Sequence, residues 1–145
     1  MRGNRPNKII GIAKNLDFKK ILVLKDKHIY DDNSINSILR NIISEIEKKS
    51  LIDIILIQYA IESWFLSDIN AINQVFNVRI NKNISNPESI QNPDKELNNI
   101  LEKFGKKYIK SYEIGKKIME TANFNEIANK CKSFEKFLIK LKNLT

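Results

Sequence analysis

Only one cysteine, one histidine and four glycines occur in this 145-residue chain, and each scarcity removes a class of function. Cys131 stands alone, which excludes an intramolecular disulfide and a cysteine-rich zinc site and suits a buried thiol in a reducing cytoplasm. His28 stands alone too, so no histidine metal cluster can form within one chain. The glycines and serines fall into no Walker A, G-x-G-x-x-G or G-x-S-x-G pattern, and there is no H-E-x-x-H. Long apolar runs are missing as well. The longest, from Ile52 to Leu66, is interrupted by Asp53, Gln58, Glu62 and Ser63, which excludes a standard membrane span. The basic start "MRGNRPNKII" leads to no apolar stretch of signal-peptide type, so the sequence predicts a soluble cytoplasmic protein.

What the chain does have is Ile, Lys and Asn, and 42% hydrophobic residues, enough for one domain to bury a core unaided. Its net charge of +8 is uneven: residues 1–33 carry +4, residues 34–94 carry −2, and residues 95–145 carry +6. Two basic ends therefore flank a mildly acidic middle, and a polyanion would meet the ends. A lysine-rich soluble surface explains the same numbers.

The apolar pattern predicts an α/β architecture with a short parallel sheet flanked by helices. A helix is expected from about Pro6 to Leu16, then a strand from Ile21 to Leu24. Helical spacing from Ser34 to Ile46 follows, and "LIDIILIQY" is a strand from Ile52 to Gln58. Its unbroken hydrophobicity predicts cover on both faces, and strand–helix–strand predicts a right-handed parallel crossover. Residues 1–76 thus form the α/β part, and residues 77–145 a loop and helical part. "IESWFL" begins a helical turn, and Ser67 or Asp68 starts a helix through Phe76. "NVRINKNISNPESIQNP" reads as a loop or short edge strand. Further helices are expected from Pro93 to Phe104, stopped by Gly105, then over 108–121, 125–131 and 133–144. Two strands make a poor independent sheet. A strand hidden after Phe76, sheet supplied by a second copy or a protein partner, or a chain truncated before residue 1 would each supply the shortfall.

In an open α/β sheet, ligands bind outside the carboxyl ends of the strands. Asp26 lies just past the end of the first strand and Glu62 just past the end of the second, so parallel pairing brings both to one edge. With Asp68 they make a metal-ligand set suited to Mg²⁺ or Mn²⁺. Each has a plainer account: Asp26 solvating a turn, Glu62 in an ion pair with the basic half, Asp68 as a helix N-cap. Asp31 and Asp32 read as helix-start residues, His28 as an exposed side chain, and Trp64 and Phe65 as core. The segment "KFGKKYIKSYEIGKK", Lys103 to Lys117, interleaves lysines with Phe104, Tyr108 and Tyr112. Lys106, Lys107 and Lys110 are its nucleic-acid-binding candidates, with tyrosines stacking on bases. An amphipathic helix with its aromatic rings in the core is the competing and favoured reading.

Four groups of residues, taken in order, carry a resemblance. They are Glu62, Trp64, Leu66 and Asp68 (E-x-W-x-L-x-D); Pro87, Glu88, Ile90, Pro93 and Leu97 (P-E-x-I-x-x-P-x-x-x-L); Tyr108 with Lys110; and Cys131 with Phe134. Together they resemble a widespread family of uncharacterised proteins, described as a domain of unknown function related to the Toprim fold, over roughly residues 20–145. Toprim domains bind Mg²⁺ through an upstream Glu and an Asp-x-Asp pair in topoisomerases, primases and nucleases. The resemblance implies nuclease-type phosphodiester chemistry, with the Asp-x-Asp position at Asp26 within "LKDKH". This chain departs from the pattern in two ways: His28 stands at the second Asp, and no strand bearing the upstream Glu precedes Ile21. A non-catalytic interaction or nucleic-acid-binding module with a degenerate site is the alternative.

Overall fold

The computed structural model describes residues 21–28, 32–44 and 52–143; the expected helix over 6–16 lies outside them. Strand β1 (Ile21–Asp26) leads to helix α1 (Asp32–Ser44) and strand β2 (Ile52–Ile57). Helices α2 (Glu62–Leu66) and α3 (Ile69–Phe76) follow, then a 3₁₀ turn (Pro87–Ser89) and helix α4 (Pro93–Glu102). The chain closes with α5 (Tyr112–Thr121), α6 (Phe124–Lys130) and α7 (Lys132–Lys142). This is the expected α/β arrangement, a short parallel pair of strands among helices.

β1 and β2 pair in parallel from Ile21↔Ile52 to Asp26↔Ile57. Asp26 is thus the last paired residue rather than one beyond the strand. Two further backbone bonds prolong the contact, Lys27 N–H to Ile57 O at 2.9 Å and His28 N–H to Tyr59 O at 2.7 Å. His28 and Tyr59 both have positive φ, 53° and 60°. Left-handed backbone at two non-glycine residues is locally unfavourable, and such strain persists only where its surroundings enforce it. Both lie where the sheet ends and the site begins.

Residues alternate along β2. Ile55 and Ile57 are buried, and Asp53 on the same face accepts from Lys140 of α7 at 3.3 Å. Ile54 and Leu56, on the other face, are only half-buried, and Leu24 of β1 is exposed. Among the described residues the sheet is therefore covered unequally, short of the two-sided cover that the apolar run predicts.

Most of the core lies beyond the sheet. All five residues of α2 are buried, and this short helix joins two apolar clusters. Phe65 and Leu66 belong with Ile72, Leu97, Leu101 and Ile118. Trp64 belongs with Ile57, Ile127, Cys131 and Phe134. Trp64 meets Phe134 edge-on at 4.9 Å, and its Nε1 donates to Ser133 Oγ at 2.8 Å. Burying an indole without an N–H partner would be unfavourable, and Ser133 supplies one. Pro93 opens α4 at a position where no amide donor is needed. Gly105, at φ 69°, turns the chain after it.

α5 starts at Tyr112, with Ser111 capping it through Ile114 N–H, four residues later than the pattern predicts. Residues 103–111 are instead an irregular strap. The reason lies in Tyr108 and Lys110, whose side chains are drawn away to the sheet edge.

A carboxylate cluster at the sheet edge

Asp26 reaches the site from the end of β1. Its Oδ1 accepts from Ile61 N–H at 3.0 Å, which ties the start of α2 to the strand end. Glu62, the first residue of α2, is completely buried. Its Oε1 accepts from Tyr108 Oη at 2.8 Å and lies 3.2 Å from Lys110 Nζ. The same ammonium lies 3.6 Å from Asp26 Oδ2. Lys110 therefore bridges two carboxylates that are 36 positions apart in sequence and arrive on different elements. Tyr108 and Lys110 fix the strap to this edge, and Tyr108 N–H also donates to Asn98 Oδ1 of α4 at 2.9 Å.

One polar atom is left over. Among the described residues, Glu62 Oε2 is buried and accepts no hydrogen bond. A buried carboxylate oxygen without a partner forfeits its hydration and gains nothing in return, an arrangement native structures avoid unless the atom has a use. Burial, and then the hydrogen bond to Glu62, raises Tyr108 well above the ordinary phenol range, so its proton stays on the oxygen. Burial on its own would lower Lys110. Attraction from Glu62 and Asp26 outweighs it, and the ammonium is held above its usual range. The cluster is thus two carboxylates, one firmly held cation and one firmly held hydroxyl.

Asp68, the third ligand of the sequence-based set, belongs elsewhere. Its Oδ1 accepts from Ala71 N–H at 3.2 Å as the N-cap of α3, and its Oδ2 accepts from Asn123 N–H at 2.8 Å. It joins the starts of α3 and α6 and makes no bond to Asp26, Glu62 or Lys110. Lys106 and Lys107 are exposed on the strap. His28 is exposed, and Asp32 begins α1. Asp31 lies outside the described residues. Trp64 and Phe65 are core, as expected. Phe104 and Tyr112 are not: they are 42% and 78% exposed, so the reading of this segment as an amphipathic helix with buried rings fails at both ends. Only Tyr108 turns inward, and it does so to reach Glu62.

Tyr108 as Glu62's partner was not assigned from the sequence. Its signal was present in the Tyr108/Lys110 pair of the third motif, since in extended backbone residues two apart point to the same side. Among the described residues no three of His, Cys, Asp and Glu gather into a group able to hold a metal by themselves. Asp26 and Glu62 could hold a cation only with water or substrate oxygens completing its shell.

A family described as a domain of unknown function (DUF4276) matches residues 25–142, most of the chain, and the chain belongs to that family. No curated protein and no solved structure matches it.

Proposed function

We propose that this DUF4276 member uses the Asp26–Glu62 edge, in Toprim-like fashion, for divalent-cation-assisted phosphodiester chemistry on nucleic acid. The observation that carries the reading is Glu62 Oε2, a buried carboxylate oxygen with no partner, beside a second carboxylate at the carboxyl end of a parallel sheet. Mg²⁺ and Mn²⁺ fit this donor set. They are oxygen-seeking, keep several waters, and are commonly held by one or two carboxylates together with substrate phosphate. When bound, such an ion supplies Lewis acidity and lowers the pKa of a bound water.

The protein's own groups divide the remaining work. Glu62 and Asp26 provide the ligands. Lys110, on the exposed strap, can leave its carboxylates for a phosphate oxygen once another cation neutralises them. Tyr108 keeps its proton and orients Glu62 through Oε1, which leaves Oε2 free. The strained pair His28 and Tyr59 fixes the ends of both strands beneath the site.

A second reading has its own observation. Lys110 already bridges both carboxylates, so the cluster can serve as an internal tie that holds the strap, in an interaction module without catalysis. Calorimetric titration with Mn²⁺ separates the two. The metal reading expects one site in the native chain, lost in Asp26→Asn and Glu62→Gln and tightened when Lys110→Ala removes the competing ammonium. Absence of a site in the native chain and in Lys110→Ala would sink it and leave the internal tie.

A further inference from the structure

The strap itself carries the next inference. The strap and Tyr112, the first residue of α5, together residues 103–112, contain Lys103, Lys106, Lys107 and Lys110 and no acidic residue. Among the described residues, Lys103, Lys106 and Lys107 have no carboxylate partner. The same ten residues hold Phe104, Ile109 and Tyr112, exposed by 42%, 65% and 78%. Three of the seven large apolar side chains that the described structure leaves exposed thus lie on one short segment with four positive charges. A solvated lysine face needs no exposed rings, and an apolar protein contact would not be set among unpaired ammonium groups.

We propose that this strap is a binding platform for single-stranded nucleic acid, with Phe104 and Tyr112 stacking on bases and Lys103, Lys106 and Lys107 contacting phosphates. Rings that stack need bases whose faces are open. A duplex keeps its base faces inside its own stack, whereas a single strand offers them, and every base has such a face. The strap is irregular, so it presents no helix for a major groove. Its position gives the platform a purpose. Lys110, three residues from Lys107, sits on Asp26 and Glu62, so a strand following the lysines is led to the carboxylate edge. The inference rests on the phosphodiester reading only for what happens to the strand there; binding on the strap needs no metal.

The test is therefore run in EDTA, by fluorescence anisotropy. The probes are a labelled oligothymidylate of about twelve nucleotides, within the range one small binding domain covers, and a duplex of equal length. The native chain should bind the single strand tighter than the duplex. Phe104→Ala with Tyr112→Ala should weaken single-strand binding by about ten-fold or more, while leaving the weaker duplex binding in place. Lys106→Ala with Lys107→Ala should weaken both and flatten the logarithmic salt dependence for the single strand by about 0.7 per lysine. All four side chains are exposed, and an unchanged circular dichroism spectrum checks that the variants fold. Equal affinity for strand and duplex, or indifference to loss of both rings, overturns the proposal. Binding to neither probe also overturns it. Because no metal is present, failure here leaves the Mn²⁺ titration unaffected, and a chain that binds strands but no Mn²⁺ loses only the catalytic reading.

Discussion

Glu62 and Asp68 lie six residues apart on one motif, both are buried, and their surroundings differ in kind. Asp68 has both oxygens taken by backbone amides, one from the helix it caps and one from Asn123. Around it, Ser67 Oγ lies 3.0 Å from Cys131 Sγ and donates to Ser63 O at 3.0 Å, while Lys130 Nζ donates to Ser67 O at 3.0 Å. Both carboxylate oxygens there are satisfied, although Ser67, Asp68, Asn123 and Lys130 border a cavity of about 530 Å³. At Glu62 one oxygen is held by a tyrosine and a lysine from a surface strap, and the other has no partner. That region is satisfied by half. A carboxylate that caps one helix and ties down the N-cap residue of another holds the fold together, and one with an open oxygen has capacity to spare for a ligand.

Alkaline titration should distinguish the two regions with the largest effect. Burial pushes the Cys131 thiol up to about 12 from an ordinary 9.0, against a weaker downward pull from Ser67. A group whose folded pKa is raised binds its proton more tightly in the folded chain. Its contribution is therefore complete below pH 9 and is lost as pH rises toward 12. The expected slope is about 1.4 kcal/mol per pH unit, roughly 4 kcal/mol over that window. Tyr108 and Lys110, also raised, add loss of the same sign only above about pH 10. Urea unfolding between pH 8 and 11 should show the decline beginning near 9 in the native chain and near 10 in Cys131→Ala. An identical onset in both would contradict the assignment.

Removal of the satisfied carboxylate comes next. Asp68→Ala leaves two backbone donors without acceptors and should cost about 3 kcal/mol in urea unfolding. A loss under 1 kcal/mol would mean that this pair of backbone contacts is dispensable. Tyr108→Phe deletes only a hydroxyl and should cost about 1.5–3 kcal/mol, the range for a hydrogen bond to a charged group. It should also speed amide exchange along the strap, because the ring then lacks its anchor at Glu62. Unchanged exchange there would show that Lys110 and Asn98 hold the strap without it.

Much of this arrangement was legible in the sequence. Continuous β-branched runs marked β1 and β2, helical spacing marked α1, and Pro93 and Gly105 marked the ends of α4 and its turn. Parallel pairing of two strands then sufficed to place Asp26 and Glu62 at one edge. The role of Asp68 was open, because a buried cap and a ligand use the same residue type and only the Asn123 amide, 55 positions away, decides between them. The pattern carries the helix back to residue 108 rather than Tyr112, because Lys–aromatic interleaving fits a helical face. The strap's actual conformation is set by Tyr108 and Lys110 meeting carboxylates far off in sequence, a tertiary preference that local periodicity does not encode. Likewise, no sequence pattern marks Phe104 and Tyr112 as exposed, since an aromatic ring beside lysines is usually core.

The contrast between an anchor and a site is tested most directly by urea unfolding with and without saturating Mn²⁺. A ligand bound only by the folded chain, at a hundred times its dissociation constant, adds about 2.7 kcal/mol. The account predicts that increment in the native chain, the same increment on a lower baseline in Asp68→Ala, and none in Glu62→Gln, whose own baseline should fall by about 1–3 kcal/mol because Lys110 loses one of its two carboxylates. Full stabilisation by Mn²⁺ persisting in Glu62→Gln, or absent from the native chain, would contradict it.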